Sequence, residues 1–292
     1  MPVADLTLYN SMAYALDQTT GNLQQLEVQM TSGKKVNVPS DDPVAFAQSQ
    51  LLNDEQSAVS NDVTVAQQTN AKLTTIDGTL ATVADAINSA ISNATEGADS
   101  SVNAAQMATL AQTVQNTLNQ VIGSANMQYG GVYVFAGNQV LTQPFNGAGA
   151  YSGDNGTNSV TFSNGASAQL SFDGQAIFGD TNSGLIGTLT SLVSALNLGN
   201  HAAVAATLPQ LQTALQTLSQ VRGTVAAGES TTSNLVNNST SQLTSLQTSV
   251  SNLVGTDVAQ AATQEQEITL QQQALVSLGS DLAKIPLINI LA

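Results

Sequence analysis

Apolar residues recur at alternating intervals of three and four at both ends of the chain. Near the start, Tyr9, Met12, Leu16, Leu23, Leu26 and Met30 follow this rhythm, with Thr19 in register. Near the other end, Val236, Leu243, Leu246, Val250 and Leu253 do the same, and Ile268, Leu275, Leu278, Leu282 and Ile285 resume it. Such spacing draws one apolar stripe along a helix, which needs a second helix to cover it. The middle of the chain is rich in Gly and Asn and changes to a period of two. Coiled-coil-like ends around a β middle predict a chain folded back on itself. The expected fold class is mainly α: a long antiparallel coiled coil or bundle from the paired terminal segments, with a small β insert. That organisation suits an assembly subunit better than an enzyme.

The pattern also sets element boundaries. A first helix is expected from Leu6 to Met30, stopped by Gly33, and an extended Lys34–Ser40 follows because of Pro39. Asp42-Pro43 supplies a helix start, with Asp as cap and Pro in the first turn. The helix it opens should reach Ala94, with a turn over Thr95–Ser100. A third helix, carrying Met107, Leu110, Val114, Leu118, Val121 and Ala125, should stop at Gly130-Gly131. Strands are expected at Val132–Phe135, Tyr151, Ser159–Ser163, Ala168–Phe172 and Ala176–Phe178, separated by Gly- and Asn-rich turns. Helix resumes at Leu185, breaks at Asn197–Asn200 and continues nearly to the end, with Pro209 near a helix start. The expected domains are residues 1–40 with 255–292 (terminal coiled coil), 41–140 with 185–254 (central bundle) and 141–184 (β insert).

Composition narrows the function. Only 9% of the 292 residues are charged, against roughly 25% in an ordinary domain, so the exposed helix faces are written in Gln, Ser, Thr and Asn. Such faces lack the Glu–Lys pairs that support isolated helices, so the terminal segments are expected to be weakly helical and mobile until covered. Five basic residues against twenty acidic ones leave a net charge of −15, which argues against nucleic acid and anionic membranes as partners. Cysteine is absent, excluding disulfides and thiolate chemistry. No basic n-region precedes an apolar core at the start, so no cleaved secretory signal is expected, and no apolar run approaches the ~20 residues of a membrane span.

Candidate chemistry is sparse. His201 is the single histidine, follows Gly199-Asn200 in an expected loop without Cys or acidic neighbours close in sequence, and is expected to be structural or solvated. Of Asp41-Asp42, whose side chains point apart as neighbours, at least one is explained by capping of the following helix, and Glu265 and Glu267 by a solvated face. Arg222, the single arginine, either bridges helices through a carboxylate or backbone carbonyls or lies at the surface. An enzyme would need a carboxylate pair or metal cluster in residues 140–185, where Asp154, Asp173 and Asp180 each sit in a turn-like context. No catalytic, cofactor or metal site is expected.

Several motifs are more specific than these patterns. Leu26-Glu27-Val28-Gln29-Met30-Thr31-Ser32-Gly33-Lys34-Lys35-Val36, followed by Pro39-Ser40-Asp41-Asp42-Pro43, resembles the N-terminal signature of the flagellin superfamily. The Ser-Gly-Lys-Lys-Val and Pro-Ser-Asp-Asp-Pro pieces are similar to its hook-associated branch, whereas filament flagellins continue with an Ala-rich, Gly-containing run where this chain has Pro43-Val44-Ala45. Gly131–Gly137, Pro144-Phe145, Tyr151–Asp154 and Gly174–Gly179 resemble the motifs of the middle region. Asp257–Ala261 and Leu270–Leu275 resemble the C-terminal signature. The family's Arg-Ala-x-x-Gly run is matched only loosely, by Arg222-Gly223 and Gly228.

The resemblance implies an extracellular structural subunit of the bacterial flagellum, in a ring at the hook–filament junction. It implies export without a cleaved signal peptide and self-assembly through the terminal helices. The implied partners are copies of itself, a neighbouring hook-associated protein and flagellin, and an export chaperone on the C-terminal region. The apolar positions Met12, Leu16, Leu23, Leu26, Met30, Ile268, Leu275, Leu278, Leu282 and Ile285 are the expected subunit interface. Filament flagellin is the nearest alternative, and an adhesin or enzyme on a flagellin-like scaffold a more distant one.

Overall fold

The computed structural model describes residues 2–283. Among these described residues, seven helices and four short strands follow in order: α1 (Pro2–Ser32), α2 (Pro43–Gly97), α3 (Ala104–Ala125), β1 (Gln128–Tyr129), β2 (Val132–Tyr133), β3 (Ser159–Thr161), β4 (Ser167–Gln169), α4 (Gly174–Phe178), α5 (Gly184–Asn197), α6 (His201–Val254) and α7 (Val258–Ala283). They form two compact units, residues 1–60 with 241–292 and residues 61–240. The mainly-α class with a small β portion is the architecture observed.

Local chemistry explains the boundaries. Gly33 ends α1 in the left-handed region at φ 67°, where a Cβ would be strained. Asp42 Oδ1 accepts the amides of Val44 (3.0 Å) and Ala45 (2.9 Å), so α2 begins at Pro43 with its first turn satisfied. The helix runs on to Gly97, three residues beyond the expected end. Asn103 caps α3 and exchanges hydrogen bonds with Gln106 in a capping box. Asp257 opens α7 by accepting from Ala259 (2.9 Å) and Gln260 (3.2 Å), a break that apolar periodicity did not reveal.

The unit of residues 61–240 holds a dry core. Leu73, Ile76, Leu80 and Ile87 of α2 bury against Met107, Val114 and Val121 of α3, Leu185, Leu189 and Leu192 of α5, and Val204, Leu211 and Leu218 of α6. Within it α3 packs against α5. Antiparallel α2 and α6 are tied by polar links: Asn70 Nδ2 donates to Thr232 Oγ1 (2.9 Å), and Arg222 grips Asp77. Pro209 lies in the third turn of α6, inside the helix rather than near a start. The helix continues through it at the cost of one missing amide donor.

The β portion is smaller than expected. Gly130 and Gly131, at φ 60° and 82°, do not stop α3 but form the two-residue turn of the β1–β2 hairpin, which needs positive φ at both positions. β3 and β4 pair antiparallel, with Val160 opposite Ala168. Ala176–Phe178, expected as a strand, belongs to the short helix α4. The reason is Asp173, whose Oδ1 accepts from Gln175 (2.9 Å) and Ala176 (3.2 Å) and nucleates a turn of helix. Here the aromatic residues gather: Phe178 meets Phe135 edge-on at 5.1 Å and Phe145 at 5.8 Å. Gly174 allows this closure, since a Cβ there would stand 2.3 Å from the Phe135 carbonyl oxygen.

Candidate assembly interface

The two ends of the chain lie side by side. α1 packs along α7, and the pairing is antiparallel: Gly33 meets Thr256, Leu26 and Ile268 line one groove, Thr20 bonds Gln272, and Met12 reaches Gly279. A bonding pair between α1 and α7 is Gln272 Nε2 donating to Thr20 Oγ1 at 3.3 Å. The groove, of about 400 Å³, is otherwise lined by amides (Asn22, Gln25, Gln29, Gln264, Gln271) and the carboxylate of Glu267. This seam is apolar at its centre and uncharged at most of its rim, so shape and register specify it rather than ion pairs.

The expected interface residues divide between these helices. Leu26 is buried, whereas Met12, Leu16, Leu23, Met30, Ile268 and Leu275 are half-buried and Leu278 is exposed. Leu282 is in the last turn of α7, and Ile285 lies outside the described residues. The stripe is therefore partly consumed within one chain. Other apolar side chains stand clear of it: Tyr14 and Val28 on α1, Val44 and Leu51 on α2, and Leu270 on α7 are each half-exposed or more. The Val44–Leu51 interval of seven was the available sequence signal for that second surface.

The segments linking the terminal helices to the rest also pair. Lys35 N–H donates to the Val254 carbonyl (2.7 Å) and Thr256 N–H to that of Gly33 (3.0 Å), so the α1–α2 and α6–α7 breaks form one junction. Val36, Ala45 and Val254 bury beneath it as a small core. Asp41 Oδ2 accepts the amides of Asn37 (2.8 Å) and Val38 (3.1 Å), closing the linker on itself. Asp42 thus caps the following helix, as expected of at least one of the pair, and Asp41 serves the linker instead.

The remaining polar candidates are structural. Arg222 bridges α6 to α2 through a two-pronged pair with Asp77, Nε–Oδ1 at 2.8 Å and Nη2–Oδ2 at 2.9 Å. The guanidinium bond, outweighing modest desolvation, holds the Asp77 carboxyl below the usual carboxylate range. His201 is the first residue of α6 rather than a loop residue, and its Nδ1 lies 2.8 Å from the Gly97 carbonyl oxygen, tying the end of α2. Asp154 accepts from the amides of Asn138 and Gly156, and Asp180 from Asn182 and the Ser183 hydroxyl. Together with Asp173 at α4, all three acids of the expected β insert close turns. Among the described residues no group of three or more His, Cys, Asp or Glu is placed to hold a metal, and no helix is long and apolar enough to cross a membrane.

Comparison with known proteins agrees with this architecture. The bacterial flagellin N-terminal helical region matches residues 3–140, just under half of the chain. Flagellar hook-associated protein 3 of Salmonella typhimurium is 27% identical over 193 residues, 65% of this chain and 58% of the relative. The chain thus spans less than two thirds of that relative's length. A solved hook-associated protein of Vibrio parahaemolyticus superposes with a TM-score of 0.68 at 17% identity, covering 74% of this chain and all of that one. The flagellar junction protein FlgL of Legionella pneumophila superposes with a TM-score of 0.57 at 15% identity, over 73% of this chain and all of that one. The chain is thus similar over residues 3–140 to the bacterial flagellin N-terminal helical region, in sequence to flagellar hook-associated protein 3, and in fold to these solved flagellar proteins.

Proposed function

We propose that this chain is a non-enzymatic structural subunit of the bacterial flagellum, forming the ring that joins hook to filament. The observation that carries the reading is the side-by-side pairing of the two chain ends, α1 with α7, in a protein whose first half matches flagellin. Such pairing leaves a long, nearly uncharged surface in which half-buried Met12, Leu16, Leu23, Met30, Ile268 and Leu275 retain an outward edge for neighbours. The outward edges of these residues, with Leu278, contribute to packing between copies. The acidic balance keeps the unassembled subunit soluble. Partners are other copies, the adjoining hook-associated protein and flagellin, and a chaperone that shields the C-terminal region before export without a cleaved signal.

Immunolabelling tests this. An antibody to residues 141–184, applied to isolated intact flagella, should stain only the hook–filament joint. Staining along the filament would make the chain a flagellin, and flagella free of stain would remove the reading.

A further inference from the structure

The acidic character of this chain has one exception on its surface. Of its five basic residues, Arg222 is engaged by Asp77, Lys72 is half-buried on α2, and Lys284 lies outside the described residues. Lys34 and Lys35 remain, both exposed, and among the described residues the only ion pair is Arg222–Asp77. They stand at the junction, beside Val36, which packs on Ala45 in the first turn of α2.

The outer side of that same helix carries an apolar column with no partner. Val44, Leu51 and Ala58 are seven residues apart and all exposed, Val44 at 66% and Leu51 at 70%, and Val38 in the linker is 48% exposed. A column repeating every seven residues is the seam on which a near-parallel helix lies. Asp54 and Glu55 flank it, also exposed. They sit about 15 Å further along α2 than Ala45, at 1.5 Å per residue. A lysine side chain from the junction cannot span that distance to Asp54 or Glu55 of its own chain.

We propose that the Lys34–Lys35 pair of one copy docks on Asp54 and Glu55 of a second copy, with Val44 and Leu51 covered between them. The proposal rests on the assembly reading above and adds its geometry. Donor and acceptor patches are different parts of the surface, so the contact is heterologous. It shifts each copy along the helix axis by about the 15 Å that separates the patches, and it propagates around a ring or helix instead of closing a twofold dimer. In a chain with so few cations, this contact also sets orientation, because other registers leave Asp54 and Glu55 without an opposite charge.

The absence of native cysteine permits a direct test in assembled flagella. A chain carrying both Lys35→Cys and Glu55→Cys should give a ladder of disulfide-linked multimers when isolated flagella are oxidised. The single-cysteine chains should give none, and their presence in flagella controls for folding. Lys35→Glu should reduce the incorporated chain about tenfold, and adding Glu55→Lys to the same chain should restore it, since the Lys35–Glu55 attraction is then regained with its signs exchanged. If the double-cysteine chain is present in flagella but forms no ladder, the docking is wrong while the assembly reading stands. A chain absent from flagella altogether removes both.

Discussion

The same three-four apolar rhythm runs through both compact units of this molecule, yet it produces a core in one and a seam in the other. In residues 61–240 several helices and the aromatic cluster converge, so that Leu73, Ile76, Leu80, Ile87 and Leu189 are completely or almost completely covered. In residues 1–60 with 241–292, two antiparallel pairs supply less cover. Among the described residues there, Leu26, Val36, Ala45, Val59, Leu246, Val254 and Ala261 are the buried apolar ones, and the rest of the stripe is half-open or exposed. Two helices can cover only one stripe of each, whereas a third and fourth enclose it. Periodicity reports that a face is to be covered; the number of neighbours decides how much.

The sharpest contrast should come from truncation. Phe178→Ala opens a hole among Phe135, Phe145 and the α4–α5 segment and should cost about 3–5 kcal/mol in denaturant unfolding. Leu275→Ala on the half-buried seam should cost about 1 kcal/mol, in proportion to the smaller area it covers. Equal losses would erase the distinction between the units. Amide exchange should follow the same order, with α3 and α5 protected longest and α1 and α7 exchanging first. This measurement also tests the expectation of terminal helices that are mobile before assembly, which uniform protection would refute.

Smaller effects concern the ties between helices. Asp77→Asn leaves Arg222 without its counter-charge, and the loss should stay under about 1 kcal/mol because both side chains keep solvent contact. The folded-state carboxyl of Asp77 is depressed by that bond. Its contribution is therefore present above the ordinary carboxylate range and fades as pH falls through the folded value, a dependence that Asp77→Asn should remove from acid unfolding curves.

Tyr151 gives the smallest signal at neutral pH. Burial, reinforced by Asp173, pushes its phenol up to about 12, and its hydroxyl donates to the Asp154 carbonyl at 2.8 Å. The stability from this neutral phenol is fully present below pH ~10 and is lost as pH rises through about 12. Absorbance titration of the folded protein should show a late-ionising tyrosine that Tyr151→Phe abolishes.

Particular residues show what could be read in advance. Pro43 after Asp42, Gly33 after Ser32 and the break before His201 are local events, since capping and positive φ depend on neighbours in sequence. Those boundaries were legible. Ala176–Phe178 was not, because three consecutive apolar residues fit a short buried strand or one helical turn, and the cap from Asp173 decides between them. Pro209 misled in the same way: tertiary packing along α6 outweighs one lost hydrogen bond. Arg222 was legible as a possible bridge, but Asp77, 145 residues away, was not identifiable as its partner.

From the sequence alone came the helical class, the absence of thiol chemistry, the acidic low-charge surface and the pairing of the two ends, because periodicity and composition are properties of the string. Tertiary structure alone decided which apolar residues are spent inside the chain and which, like Val44 and Leu51, are left facing outward. A stripe on a helix specifies a need for cover. Only the arrangement of the other helices determines whether that need is met within the chain or by a neighbour.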